Sequence, residues 1–260
     1  MSLNFAAVTP HPPIIIPGVG NQKDLTKVAD TVDAMEKIAK GFDEKEVETV
    51  IIITPHGSSS KKKFNISGAE CFTSSLPGAL LSFDGDSELA EKLTDLKDVK
   101  KVQSGNLDHG ASVPLYFLKE KRSDFKVVPI TYSQKSRKKH FDFGKKIFEL
   151  IKKEEKNIGV IASGDLSHKL TPFAPAGFSK EGKKFDEKLI QLLKKEETKK
   201  ILEIDQKLID EAAECGYRSI LVLLGILSNI DYESKVLSYE GPFGVGYGVV
   251  QYLIKNENQT

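Results

Sequence analysis

Five short runs of aliphatic and β-branched residues, at positions 5–8, 50–53, 127–130, 158–162 and 235–239, are too brief for helices and read as buried strands. Residues 245–253 read as a final strand. Longer amphipathic stretches separate these runs, at 24–39, 138–152, 182–195, 205–213 and 219–227. In the first of them Leu25, Val28, Val32, Met35 and Ile38 share one helical face. Short apolar runs alternating with amphipathic helices make an α/β fold: a mostly parallel or mixed central sheet with helices on both faces. No repeat, low-complexity linker or break in composition interrupts the pattern, so residues 1–260 are expected to form one domain. Residues 167–179, rich in glycine, proline and phenylalanine, are expected to form a long loop.

Composition removes several functions. The 38 basic and 37 acidic side chains leave a net charge of +1, which supplies no field for nucleic acid or anionic lipid. Lysine and glutamate on the helix faces, and the run 61–63, read as solvated surface. The longest apolar runs, at 14–16 and 220–227, are far short of the roughly 20 residues that cross a bilayer. The first ten residues lack a basic start, apolar middle and cleavage site, so a cytoplasmic location is expected. Cys71 and Cys215 form no Cys-x-x-Cys motif and are expected to lie outside any metal site.

The scarce histidines carry the chemistry. His11 follows the first strand, His56 the second and His168 the strand at 158–162, each through a turn containing proline or glycine. Residues just past the carboxyl ends of parallel strands meet in one crevice. By the same logic Glu240, at the end of the 235–239 run, joins them. Two imidazoles and a carboxylate suit a non-haem Fe(II) with open positions, although zinc or another divalent ion takes similar donors. His140, at the start of a basic helix, reads as structural. Asp108 and Asp165 have two readings each: orienting an imidazole, or local chemistry, with Asp108 capping a helix at 111–118 and Asp165 forming a turn. Tyr247 and Phe243 read first as packing and second as pocket walls.

The motifs Pro10-His11-Pro12-Pro13, Thr54-Pro55-His56-Gly57, Leu107-Asp108-His109-Gly110, Ser163-Gly164-Asp165-Leu166-Ser167-His168 and Gly241-Pro242-Phe243-Gly244-Val245-Gly246-Tyr247 occur in that order. Together they resemble the class III extradiol ring-cleavage dioxygenase catalytic (B) subunit superfamily, in the branch with Memo-like proteins and AMMECR-associated domains. The resemblance implies an Fe(II) enzyme that opens the ring of a catechol-type diol with dioxygen. His11, His56 and Glu240 match the metal ligands, His168 the acid/base, and His109 a histidine that hydrogen-bonds substrate or oxygen. Glu211, Glu214 or Asp165 are alternative oxygen donors. Memo-like members, which the resemblance offers as a non-cleaving, regulatory or accessory alternative, carry a different residue near the third ligand. The resemblance further implies a separate small subunit or a neighbouring protomer that covers the pocket, unless none is needed; the apolar faces at 189–193 and 219–227 suit a homodimer and burial in the monomer equally.

Overall fold

The computed structural model describes residues 2–58, 60–76 and 79–255. Strands β1 (Leu3–Thr9), β2 (Thr49–Thr54), β8 (Lys126–Thr131) and β9 (Ile158–Ser163) form a parallel centre in the order β1-β9-β2-β8. Alternate residues of these strands serve opposite faces of the sheet, as the two-residue period of a strand requires. Phe5, Ala7, Val50, Ile52 and Val127 belong to one apolar cluster, and Ala6, Val8, Ile51, Ile53 and Val128 to the other. Because both faces are buried, the strands are apolar at nearly every position.

Helices α2 (Ala29–Glu44) and α4 (His109–Lys121) cover the first face through Met35, Ile38, Phe42, Leu115 and Leu118. Helices α5 (Arg137–Ile151), α6 (Lys180–Lys194), α8 (Gln206–Ala212) and α9 (Tyr217–Leu227) cover the second, with Ile147, Leu189, Ile209 and Leu221 among the contacts. At one edge β11 (Tyr247–Ile254) runs antiparallel to β1, and β10 (Tyr232–Glu240) antiparallel to β11. The expected α/β class and helix-covered mixed sheet are therefore present, with strand limits extended by one to three residues in most cases.

Two regions differ from the sequence reading. The amphipathic stretch at 24–39 divides at Val28, whose φ of −116° and ψ of 27° end α1 (Gln22–Lys27) before α2 begins. On the other side of β8, the sheet continues through β3 (Phe64–Ser67), β4 (Cys71–Leu76), β5 (Ala79–Gly85), β6 (Val99–Val102) and β7 (Asn106–Leu107), joined by α3 (Ser87–Thr94). Strands β4 to β7 carry exposed residues among their buried ones, and the buried β3 is only four residues long with Asn65 and Ser67, so none shows the continuous apolar run that marks β1, β2, β8 and β9. Residues 164–179 form an irregular loop, as expected, and α7 (Thr198–Leu202) is a further short helix. No helix among the described residues is long and apolar enough to cross a membrane.

Candidate metal centre

The parallel register sets the ends of β1, β9 and β2 side by side: Thr9 pairs with Ser163, and Ile53 with Ala162. His11, His168 and His56 leave those ends, and His109 opens α4 against them. His56 Nε2 lies 3.0 Å from His11 Nε2, and the His109 ring stacks on His56 with centroids 4.3 Å apart. Cys215 is a third candidate donor: its Sγ is 3.5 Å from His11 Nε2, and His11, His56 and Cys215 can place one ligand atom each within 4.8 Å of one another. Two donors about 2.0–2.3 Å from one ion lie roughly 3–3.6 Å apart at right-angled to tetrahedral geometry. The separations of 3.0 and 3.5 Å from His11 Nε2, and the donor types, are those of ligands that share one divalent ion.

The tautomer of His11 follows from helix α4. Pro114 lies inside that helix and has no N–H for the carbonyl of Gly110, four residues before it. That free carbonyl instead accepts from the Ser163 hydroxyl. Having given its proton away, Ser163 Oγ accepts from His11 Nδ1, 2.9 Å distant. The His11 proton is thus on Nδ1, and the Nε2 lone pair points at His56 and Cys215. His168 is fixed in the same sense. Its Nδ1 donates to the Ala213 carbonyl at 2.6 Å, which leaves Nε2 as a base 4.0 Å from Asp165 Oδ2. Ala213 terminates α8 with φ of 50°, a left-handed turn that aims this carbonyl at the loop.

Electrostatics keep the two imidazoles in their binding form. Burial holds His11 well below the ordinary histidine range, reinforced by His56 and His109, and burial also lowers His56. Both are neutral at pH 7. Burial, with Asp165 and Glu214 nearby, pushes the Cys215 thiol up, so an incoming cation would displace its proton. Burial also raises Asp165 to about 6, although the His11 N–H donates to its Oδ1 at 2.9 Å.

Cys215 corrects the expectation that both cysteines lie outside the site. It arrives because Cys215 N–H and Gly216 N–H both donate to the Asp165 carbonyl, while Asp165 N–H donates back to Sγ at 3.2 Å. Gly164 and Gly216 meet backbone to backbone, and a Cβ on Gly164 would overlap Gly216. The Cys215-Gly216 pair is the local signal of this approach, but its partner is 52 positions away and is not marked in the sequence. Glu240 is placed elsewhere: its Oε1 accepts from Thr31 N–H at 2.7 Å. Val28 gives α2 no capping side chain, so Glu240 fills that role at the first turn. Glu214 accepts from Tyr217 N–H at the start of α9, and Glu211 from the Ser179 hydroxyl.

Asp108 caps α4 through Ala111 N–H and accepts from the Thr54 hydroxyl at 2.6 Å. Asp165, by contrast, reaches both His11 and His168, with 3.9 Å between its Oδ2 and His11 Nε2. Tyr247 is buried in the core, and Phe243 packs against the same cluster. His140 is buried in α5 between the Ser136 and Ser133 carbonyls, apart from the cluster. Asp186 was not singled out from the sequence. It is fully buried, accepting from Ser167 N–H and from the Tyr239 hydroxyl, each at 2.8 Å, and so ties the loop carrying His168 to the end of β10.

Comparisons with known proteins agree with this architecture. The family model for the catalytic LigB subunit of aromatic ring-opening dioxygenase matches residues 5–250. A Clostridium acetobutylicum protein, Protein CA_C1420, is 35% identical across 96% of this chain; the chain spans 58% of that protein's length. The 3,4-dihydroxyphenylacetate 2,3-dioxygenase of Escherichia coli is 25% identical, over 80% of this chain and 83% of that enzyme. The crystal structure of the uncharacterized protein JW3007 from Escherichia coli K12 superposes with a TM-score of 0.69 at 16% identity, covering 95% of this chain and 98% of that one, and so shares the fold.

Two outcomes follow. Ser163→Ala removes the acceptor that fixes His11, and divalent-metal affinity measured by calorimetry should fall about 10- to 100-fold; unchanged affinity would contradict the tautomer argument. Burial raises Asp186 to about 7, so the folded chain keeps a proton that the unfolded chain releases near pH 4. The stability this group contributes is full below about pH 4 and is lost as pH rises to about 7. Relative to the native chain, Asp186→Asn should therefore gain in urea midpoint from pH 4 to 7 and level off above; a constant difference would contradict it.

Proposed function

The chain belongs to the family of the catalytic LigB subunit of aromatic ring-opening dioxygenase, and from that premise we propose that it is a metal-dependent enzyme opening the ring of an aromatic diol with dioxygen. The observation that carries this reading is the convergence of His11, His56 and His168 from three adjacent strand ends, with the His11 and His168 Nε2 atoms left unprotonated by their own hydrogen bonds. In this reading His11, His56 and Cys215 hold the ion, and Glu240 remains the cap of α2. When bound, a redox-active divalent ion such as Fe(II) would supply open positions for the diol oxygens and dioxygen.

The protein's own groups handle protons. His168 Nε2 takes the proton of a diol hydroxyl, and its Nδ1–H stays on the Ala213 carbonyl, so the ring does not turn away. Asp165, near neutrality in pKa and 4.0 Å from His168 Nε2, stabilises the imidazolium that results. His109, exposed and stacked on His56, donates to an oxygen that gains charge.

A second reading, a metal-binding protein of regulatory or accessory role without ring cleavage, is favoured by one observation: a thiol stands where the resemblance leads one to expect a carboxylate. Thiolate donors suit zinc and copper as well as iron. Oxygen uptake by the Fe(II)-loaded protein across a panel of catechols separates the two, because ring opening consumes oxygen and metal binding alone does not. On the enzymatic reading, His168→Ala retains its metal and loses about 10²- to 10⁴-fold in turnover, whereas His11→Ala and His56→Ala lose the metal. No uptake on any catechol with metal bound would favour the second reading.

A further inference from the structure

Beside His109 lies a solvent-open cleft of about 430 Å³ that none of the groups described above occupies. Its apolar walls are Pro13, Leu76 and Leu107, from the turn after His11 and from β4 and β7. A volume of this size is ordinary for a small-molecule site. Two serines also line it, Ser74 of β4 and Ser112 of α4, each 1% exposed. Neither hydroxyl finds a hydrogen-bond partner among the described residues. A buried hydroxyl without a partner is costly, and two at one cleft are groups that a hydroxyl or amide of a bound molecule would satisfy.

The charge of that partner is also constrained. No lysine or arginine lines the cleft, and the one carboxylate there, Asp108, is already engaged by Thr54 and the start of α4. A substrate carboxylate in this position would meet no cation among the lining residues and would face Asp108. We infer that the cleft binds the substituent of the substrate that projects from the metal-held diol, and that this substituent is uncharged, apolar along its length and tipped by a hydrogen-bonding hydroxyl or amide read by Ser74 and Ser112. The inference rests on the aromatic-diol reading and names the class of diol. It also separates this chain from a preference for arylacetates, the class named for its Escherichia coli relative.

A matched series tests it: 4-(2-hydroxyethyl)catechol, 4-ethylcatechol and 3,4-dihydroxyphenylacetate, titrated calorimetrically into the zinc-loaded full chain, where no turnover intervenes. The alcohol should bind about 5- to 10-fold more tightly than the ethyl compound, the increment of one or two hydrogen bonds, and the carboxylate most weakly. In Ser74→Ala or Ser112→Ala the ratio between alcohol and ethyl compound should move toward one. Equal or tighter binding of the carboxylate, or an unchanged ratio in both variants, would overturn the inference. If a variant does not fold, the ranking on the native chain decides alone. Failure of all three catechols to bind would instead overturn the diol reading on which the inference stands.

Discussion

The hydrogen bond from His11 Nδ1 to Ser163 is the interaction on which the site depends, and its origin is a proline in a helix. Pro114 withholds an N–H from the Gly110 carbonyl, Ser163 donates to that carbonyl, and the same hydroxyl then accepts from His11. A helix defect on one face of the sheet thereby sets which nitrogen of a strand-end histidine carries its proton. The consequence is an unprotonated Nε2 at the meeting point of His56 and Cys215. Without that chain the ring would be free to present its N–H instead, and the donors would not converge as ligands.

The surrounding packing serves the same end. A parallel sheet buried on both faces places three strand ends in one low-dielectric crevice, and burial there keeps His11 and His56 neutral. The close contact of Gly164 with Gly216 lets a loop from the helical side reach under β9 and deliver Cys215. Asp165 sits at the junction, its backbone binding the cysteine loop while its side chain receives the His11 N–H. His168 is held by the same loop system, since Ser167 and His168 bond to Ala212 and Ala213 at the end of α8.

What could be read from the residues alone follows from which forces act locally. β1, β2, β8 and β9 were legible because burial on both faces demands continuous apolar runs, and the histidines at their ends were legible because a turn residue marks each exit. The strands at 64–107 were not, because the outer ones keep exposed positions such as Lys100, Lys101 and Asn106 that are compatible with loop or strand, and the buried β3 is only four residues long. Glu240 does stand at the end of β10, but its carboxylate accepts from Thr31 N–H at the first turn of α2, a role that strand-end reasoning does not reveal. Cys215 shows the converse. It follows a short helix rather than a strand, and the contact between Gly164 and Gly216, together with the hydrogen bonds to Asp165, brings it to the site.

The central claim is that this centre is built from two imidazoles and a thiolate. X-ray absorption spectroscopy of the metal-loaded protein tests it most directly. The account predicts a sulfur scatterer at about 2.3 Å together with imidazole nitrogens at about 2.0–2.1 Å, and loss of the sulfur contribution in Cys215→Ser. A shell of nitrogen and oxygen alone, identical in the native chain and in that variant, would contradict it.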